Sequence, residues 1–274
     1  MKASIKVRPF LKWVGGKSQL LPEILKRLPV SYSRYFEPFV GGGAVFFSLQ
    51  ANQVYLIDIN PELINTYKVV RDNVDALIDD LKQHVYDKAY YYYMRNIDRE
   101  VEYATWSNIQ KASRFIYLNK TCYNALYRVN SRHQFNTPFG RYNNPTILDE
   151  ENLNACSGVL KDAELAVGDF RTIESMVTPA DFVYFDPPYI PLTKTSSFTA
   201  YSCGGFDQNM QQALCDLCHR LNDRGVCFML SNSSAPPVLE LYKPFKIEFV
   251  QASRAVNSQA DKRGKVSEVL VTNY

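Results

Sequence analysis

The chain has only three histidines among its 274 residues, none paired with another in the sequence. Its six cysteines fit neither a zinc-ribbon spacing nor a dense disulfide framework. Together these scarcities argue against a metal centre. One Cys-x-x-Cys exists, at Cys215 and Cys218. It falls inside a helical period over residues 207–224, where Met210, Leu214, Leu217 and Leu221 recur, so both thiols read as small core or flank residues of that helix. Long apolar runs are missing too. No run reaches membrane-spanning length, and Lys2, Lys6, Arg8 and Lys12 interrupt the start where a secretory signal needs an apolar stretch. The expectation is a soluble protein of the cytoplasm. Net charge is only +3, too little by itself to indicate a nucleic-acid partner. The sharpest absence is local: no Asp or Glu occurs between Glu102 and Asp149.

That acid-free window holds Lys111, Arg114, Lys120, Arg128, Arg132 and Arg141, interleaved with Tyr117, Tyr123, Tyr127, Phe135, Phe139 and Tyr142. A basic block with aromatics between its charges is the footprint expected for a polyanion with bases to touch. A solvated face lacking acids by chance is the competing reading, although solvated faces usually mix both signs. The length suffices for one large domain or two modest ones, and an apolar share of 46% supplies a core.

The stretch around which the chain is organised is Asp186-Pro187-Pro188-Tyr189. It follows the apolar run Phe182-Val183-Tyr184-Phe185, which reads as a buried strand that stops abruptly. Asp186 brings a carboxylate, Pro187 a carbonyl with no competing N–H, and Tyr189 a flat ring on a stiffened turn. Two acceptors beside an aromatic plate suit a planar substrate bearing an NH2 group. A Pro-Pro turn opened by Asp is also ordinary loop chemistry, so these residues alone leave both readings open.

In chain order, Trp13-Val14-Gly15-Gly16-Lys17 lacks the spacing of a phosphate loop; its glycines suit close backbone approach to a ligand. A helix is expected over 18–28. A strand at 34–38 runs into Phe39-Val40-Gly41-Gly42-Gly43 and a helix over 44–49, then a strand over 54–57 ends in Asp58. Strand, glycine turn and helix bring backbone N–H groups to a ligand, and an acid after the second strand suits a ribose diol. Phe46 occupies the third position of a Gly-x-Gly-x-x-Gly pattern, which disfavours a nicotinamide enzyme. Helical periods follow over 61–70, 74–84, 90–94 and 105–119, then loop and hairpin over 121–144 with a turn at Asn130-Ser131. Strands are expected over 164–167, 182–185, 226–230, 247–250 and 269–272, the last two as an antiparallel pair. Asp207 caps the helix that Gly225 ends. A Ser/Thr-rich loop at 193–205 carries Phe198 and Tyr201, and a basic segment at 254–265 carries Arg263-Gly264-Lys265.

Seven blocks in one order give the chain a family likeness. They are Phe-Leu-Lys-Trp-x-Gly-Gly-Lys at 10–17, Glu-Pro-Phe-Val-Gly-Gly-Gly at 37–43 and Asp-Ile-Asn at 58–60. The others are Tyr-Asn-Ala-Leu-Tyr-Arg-Val-Asn at 123–130, Phe-Asn-Thr-Pro-Phe-Gly-Arg-Tyr at 135–142, Asp-Pro-Pro-Tyr at 186–189 and Leu-Ser-Asn at 230–232. With them the chain resembles the Dam-type DNA adenine-N6 methyltransferases, nearest to the GATC-specific enzymes that accompany restriction endonucleases. The resemblance implies an α/β fold: a Rossmann-like methyltransferase sheet (1–62 and 160–274) with an inserted, mainly helical target-recognition domain (63–159). It implies S-adenosyl-L-methionine as cofactor, double-stranded DNA as partner, and a monomer that uses no metal.

By the same resemblance Trp13, Lys17, Phe39, Gly41, Gly43, Asp58, Asp169, Phe170 and Asp186 match cofactor positions, and Asp186, Pro187 and Tyr189 the catalytic ones. Tyr123 matches a wedge into the duplex. Asn124, Leu126, Arg128 and Pro138 match base-contacting or flipping residues, and Lys12 a reader of the first guanine. Asn130, Arg141 and Tyr142 match phosphate contacts. Ala125 departs from a frequent glycine, and Lys120-Thr121-Cys122 is unusual before the tyrosine. Three other readings compete: a methyltransferase acting on RNA adenine or a protein glutamine, a catalytically silent DNA-binding homologue, and a nicotinamide enzyme. Glutamine methyltransferases usually carry Asn where Asp186 stands.

Overall fold

The computed structural model describes residues 6–49, 51–190, 206–253 and 265–274. The loop expected at 193–205 and the basic segment over 254–264 lie outside the described residues. The chain divides into two compact units: one of Met1–Gly16, Gly41–Gln50 and Asn60–Val167, the other of Lys17–Val40, Ala51–Ile59 and Gly168–Tyr274. The described residues form seven strands: β1 Tyr35–Glu37, β2 Val54–Asp58, β3 Ala163–Val167, β4 Phe182–Phe185, β5 Cys227–Ser233, β6 Lys246–Ser253 and β7 Lys265–Thr272. The expected mixed α/β class is the one observed.

In the second unit six strands pair in the order β2-β1-β4-β5-β7-β6. The first three pairings are parallel; β7 runs antiparallel to both β5 and β6. All four side chains of β4 are buried. Burying each such residue stabilises the fold by roughly 1.5–3 kcal/mol, which is why this run is apolar on both faces. Asp181 enters the strand with a buried carboxylate that takes Arg34 Nε at 3.0 Å and Nη2 at 2.6 Å. Chain order reverses between β1 and β4, and ligands of such sheets bind at the carboxyl ends of the strands beside that reversal. Register pairs Phe185 with Leu230, so Asp186 and Ser231 each stand one residue beyond that pair.

The first unit is mainly helical, with β3 at its end. Its helices start where caps dictate. Asn60 accepts Glu62 N and Leu63 N and opens Pro61–Asp72. Ser107 and Gln110 form a capping box, so the helix expected from 105 begins at Asn108. In the second unit Asp207 caps Gln208–Asp223, and Gly225 ends it at φ +69°. The continuous helix expected over 18–28 is instead a 3-10 turn, Lys17–Gln19, and a short helix, Leu21–Leu25, because Pro22 has no N–H to continue the preceding turn. Helix Glu150–Leu160 has no counterpart among the expected elements; its buried apolar stripe is thin, Leu153, Cys156 and Leu160.

Candidate active site

The end of β4 carries a charged cluster within the second unit. Lys17, at the start of its 3-10 turn, brings Nζ to 2.6 Å from Asp186 Oδ1, with the lysine side chain 5% and the carboxylate 20% exposed. Ser231 Oγ donates to the same Oδ1 at 3.1 Å. Its one proton being used, Ser231 accepts from Tyr184 O–H at 2.9 Å, which gives a relay from strand core to carboxylate. Both contacts fall on Oδ1; among the described residues Oδ2 has none. Nor does any described residue donate to the Pro187 carbonyl, whereas the Pro188 carbonyl takes Gln211 Nε2 at 2.8 Å. Burial pushes the Asp186 carboxyl above its ordinary range, against the pull of Lys17 and Ser231. Lys17 Nζ also stands 4.6 Å from the centroid of the Tyr189 ring, and Tyr189 O–H donates to Glu268 Oε2 at 2.8 Å.

In the second unit Asp58 ends β2, and its carbonyl takes Gly168 N at 3.0 Å. Phe39 and Phe170 are stacked, with centroids 5.5 Å apart, and Phe170 is buried in the core. Asp169 caps the turn Phe170–Ser175, its carboxylate held by Arg171. In the first unit Gly41 and Gly43 take φ +47° and +66°. A Cβ on Gly41 would lie 2.7 Å from Trp13 Cδ1, so the turn is flat against the indole.

The positions expected to contact DNA all fall in the first unit. Asn119 clamps Lys12, accepting its N–H at 2.9 Å and donating to its carbonyl at 2.7 Å, and Lys12 Nζ lies 5.4 Å over the Tyr142 ring. Tyr123 is 51% exposed. The next two residues, Asn124 and Ala125, are both left-handed, at φ +53° and +52°. Ala125 thus holds a conformation that suits the glycine it replaces in the family pattern. Antiparallel bridges Cys122 to Phe139 and Val129 to Phe135 close the hairpin. Asn130 Oδ1 accepts Arg132 N and Gln134 N at its tip. Leu126 presents its carbonyl to Thr137 Oγ1, while Pro138 and Arg141 are exposed. Arg128 is exposed, but its fork is engaged: Nε donates to Asn136 Oδ1 at 2.7 Å and Nη2 to Asn136 O at 3.2 Å. The acid-free block is less basic at its surface than in sequence. Arg114 is 1% exposed and spent on Met94 O, Arg95 O and Asp98 Oδ2.

Residues 13–256 match the model of the D12 class N6 adenine-specific DNA methyltransferase family. The chain belongs to that family. It is 44% identical over 277 residues to the type II methyltransferase M1.LlaDCHI of Lactococcus lactis subsp. cremoris, spanning 100% of this chain and 98% of that protein. It is 42% identical over 290 residues to the type II methyltransferase M.MjaIII of Methanocaldococcus jannaschii, spanning 98% of this chain and 100% of that one. The DNA adenine methylase of Escherichia coli K12 is 32% identical over 270 residues, 97% of this chain and 95% of its own.

The family is one of adenine-specific DNA methyltransferases, and such enzymes generally use S-adenosylmethionine. The residues present fit that group. In the first unit a left-handed glycine turn against an indole brings backbone N–H groups beside an apolar wall. Among the described residues no cluster of His, Cys, Asp or Glu could hold a metal, and no helix is long and apolar enough to cross a membrane. Ser231 and Glu268 were not singled out from sequence as site residues. Ser231 lay in the Leu-Ser-Asn block, so a signal existed; Glu268 is one polar residue in a strand and carried none.

Proposed function

We propose that the chain methylates adenine N6 within GATC in double-stranded DNA, extruding the adenine from the stack to reach it. What supports the reading most is the state of Asp186. Lys17 and Ser231 fix one carboxylate oxygen, and among the described residues neither the other oxygen nor the Pro187 carbonyl has a donor. An exocyclic amine has two hydrogens for those two acceptors. Both bonds keep the nitrogen lone pair localised and hold it in place, and acceptors already oriented need no reorganisation as positive charge grows on nitrogen. Tyr189 stacks on the extruded ring, its hydroxyl anchored by Glu268. Extrusion costs a few kcal/mol, recovered in part by that stacking.

Trp13, Lys17, Phe39, Gly41, Gly43, Asp58, Asp169, Phe170 and Asp186 are the residues that would hold S-adenosylmethionine. When bound, it supplies an electrophilic methyl group on a sulfonium. Residues 1–62 and 160–274 carry the chemistry and 63–159 the target recognition. From 63–159 Tyr123 wedges into the duplex and Asn124, Leu126, Arg128 and Pro138 read or flip bases, joined by Lys12 from 1–62. Asn130, Arg141 and Tyr142 take phosphates. The protein works as a monomer in the cytoplasm. The test is methyl-labelled S-adenosylmethionine with two duplexes that differ only as GATC against GTTC. Label on the GATC duplex alone is the expected result; equal label on both discards the target, and label on neither discards the function.

A further inference from the structure

Tyr127 stands in the hairpin between Leu126 and Arg128. Its ring is stacked on Trp13, with centroids 5.6 Å apart and planes 20° apart, and Phe115 lies against both, 6.2 Å from Trp13 and 5.2 Å from Tyr127. Its hydroxyl donates to Glu62 Oε2 at 3.1 Å. The other oxygen of Glu62 accepts Tyr103 O–H at 2.8 Å, with Arg114 Nη1 3.9 Å away. Glu62 stands in the first turn of helix Pro61–Asp72. From the same helix Tyr67 O–H donates to the Gly41 carbonyl at 3.0 Å. Trp13 in turn lies flat on that glycine turn; a Cβ on Gly42 would stand 3.1 Å from Trp13 Cβ. The contacts close a ring: glycine turn, Trp13, Tyr127, Glu62, helix, Tyr67 and the turn again. Every member belongs to the first unit.

Packed rings have discrete arrangements and do not deform continuously. A hairpin that shifts to seat Leu126 and Arg128 on bases therefore carries Tyr127 with it, and Trp13 must follow or lose that stack, keeping only Phe115. We infer that Tyr127 is a positioning residue that couples DNA reading to cofactor binding, by holding Trp13 over the glycine turn when the hairpin engages its site. The inference rests on the proposed roles of Trp13 and of the hairpin. Linkage makes the coupling reciprocal: duplex raises affinity for cofactor by the same factor by which cofactor raises affinity for duplex.

The chain has two tryptophans, so Trp106→Phe leaves Trp13 as the single indole reporter. On that background, the dissociation constant of S-adenosylhomocysteine is measured from Trp13 emission with and without a GATC duplex. The parent, Tyr127→Phe and Tyr127→Leu are compared. The parent is expected to bind at least ~5-fold more tightly when duplex is present, the lower end of usual allosteric coupling. Tyr127→Leu brings that factor to within about 2-fold of unity, and duplex alone no longer changes Trp13 emission. Tyr127→Phe, which keeps the stack and loses the Glu62 bond, falls between. No coupling in the parent overturns the inference. So does a Tyr127→Leu variant whose affinities both drop while the factor stays at the parent's value, since that is packing alone. If Tyr127→Leu does not fold, Tyr127→Phe decides: an intermediate factor supports the inference, and the parent's factor overturns it. A parent that binds neither probe brings down the functional reading itself, a different failure from intact binding without coupling.

Discussion

Replacing Asp186 by Ala has two effects that can be separated. Lys17 is 5% exposed and loses a carboxylate 2.6 Å away. Breaking a buried pair by removing one member costs about 3–5 kcal/mol; the partial exposure of Asp186 puts this case near ~3 kcal/mol. At roughly 2 °C per kcal/mol for a chain of this size, melting falls by about 5–7 °C. Methyl transfer at saturating cofactor falls by about 10²–10³, the usual loss when one preorganised hydrogen-bonding group is removed. Lys17→Met in addition replaces the buried ammonium by an apolar chain and is expected to restore most of the stability. It restores none of the activity. Thermal unfolding and label transfer on all four proteins complete the cycle. Activity that returns together with stability refutes the role of Asp186, and an Asp186→Ala protein as stable as the parent refutes the buried pair. The pH dependence carries a sign. Burial raises the Asp186 pKa, so this group stabilises the fold most when protonated, and that contribution is lost as pH rises through its folded pKa. Transfer needs the ionised form and rises over the same window. Its acid limb lies above the ordinary carboxylate range, and Lys17→Met moves it higher still.

Burial holds His84 neutral between Tyr90 O–H and Ser113 Oγ, with its pKa lowered from 6.5 to about 4. Its contribution is complete above the unfolded value and is lost as pH falls towards the folded one, roughly 3 kcal/mol in all. His84→Gln should flatten the unfolding free energy over that range; an unchanged slope contradicts this. Gly41→Ala forces a Cβ to 2.7 Å from Trp13 at a left-handed φ, so Trp13 emission on the Trp106→Phe background should shift and S-adenosylhomocysteine affinity should fall at least ~10-fold. Arg128→Ala should relax discrimination at one base pair by about 1–3 kcal/mol, while Arg141→Ala weakens all duplexes alike and lowers the salt slope by about one. Matching binding profiles for the two variants would deny that division.

Much of the fold was legible in the sequence because its signals are local. The run Phe182–Phe185, Asn60 with Pro61, and Asp207 with Gly225 each mark an element boundary by residue type alone. What stayed hidden depends on partners far apart in the chain. Arg114 reads as a surface cation until Asp98 and two carbonyls are seen around it. Arg128 reads as a free fork until Asn136 is found on it, so engaging a guanine requires exchanging that partner. Ser231 and Glu268 act on Asp186 and Tyr189 across 45 and 79 residues of sequence. Helix Glu150–Leu160 is hard to read from sequence because only three of its four buried side chains are apolar, too weak a period. The residues of the Asp-Pro-Pro-Tyr block were visible, but not that Lys17 and Ser231 both hold the same oxygen of Asp186.

The most direct test of the central claim asks which atom receives the methyl group. A GATC duplex is treated with S-adenosylmethionine and either the parent or Asp186→Ala, then digested to nucleosides and separated. The parent should yield N6-methyladenine as its methylated nucleoside, and Asp186→Ala at least ~100-fold less under equal cofactor occupancy. Methyl on a ring nitrogen or on cytosine, or undiminished N6-methyladenine from the variant, would contradict an amine held by Asp186 and the Pro187 carbonyl.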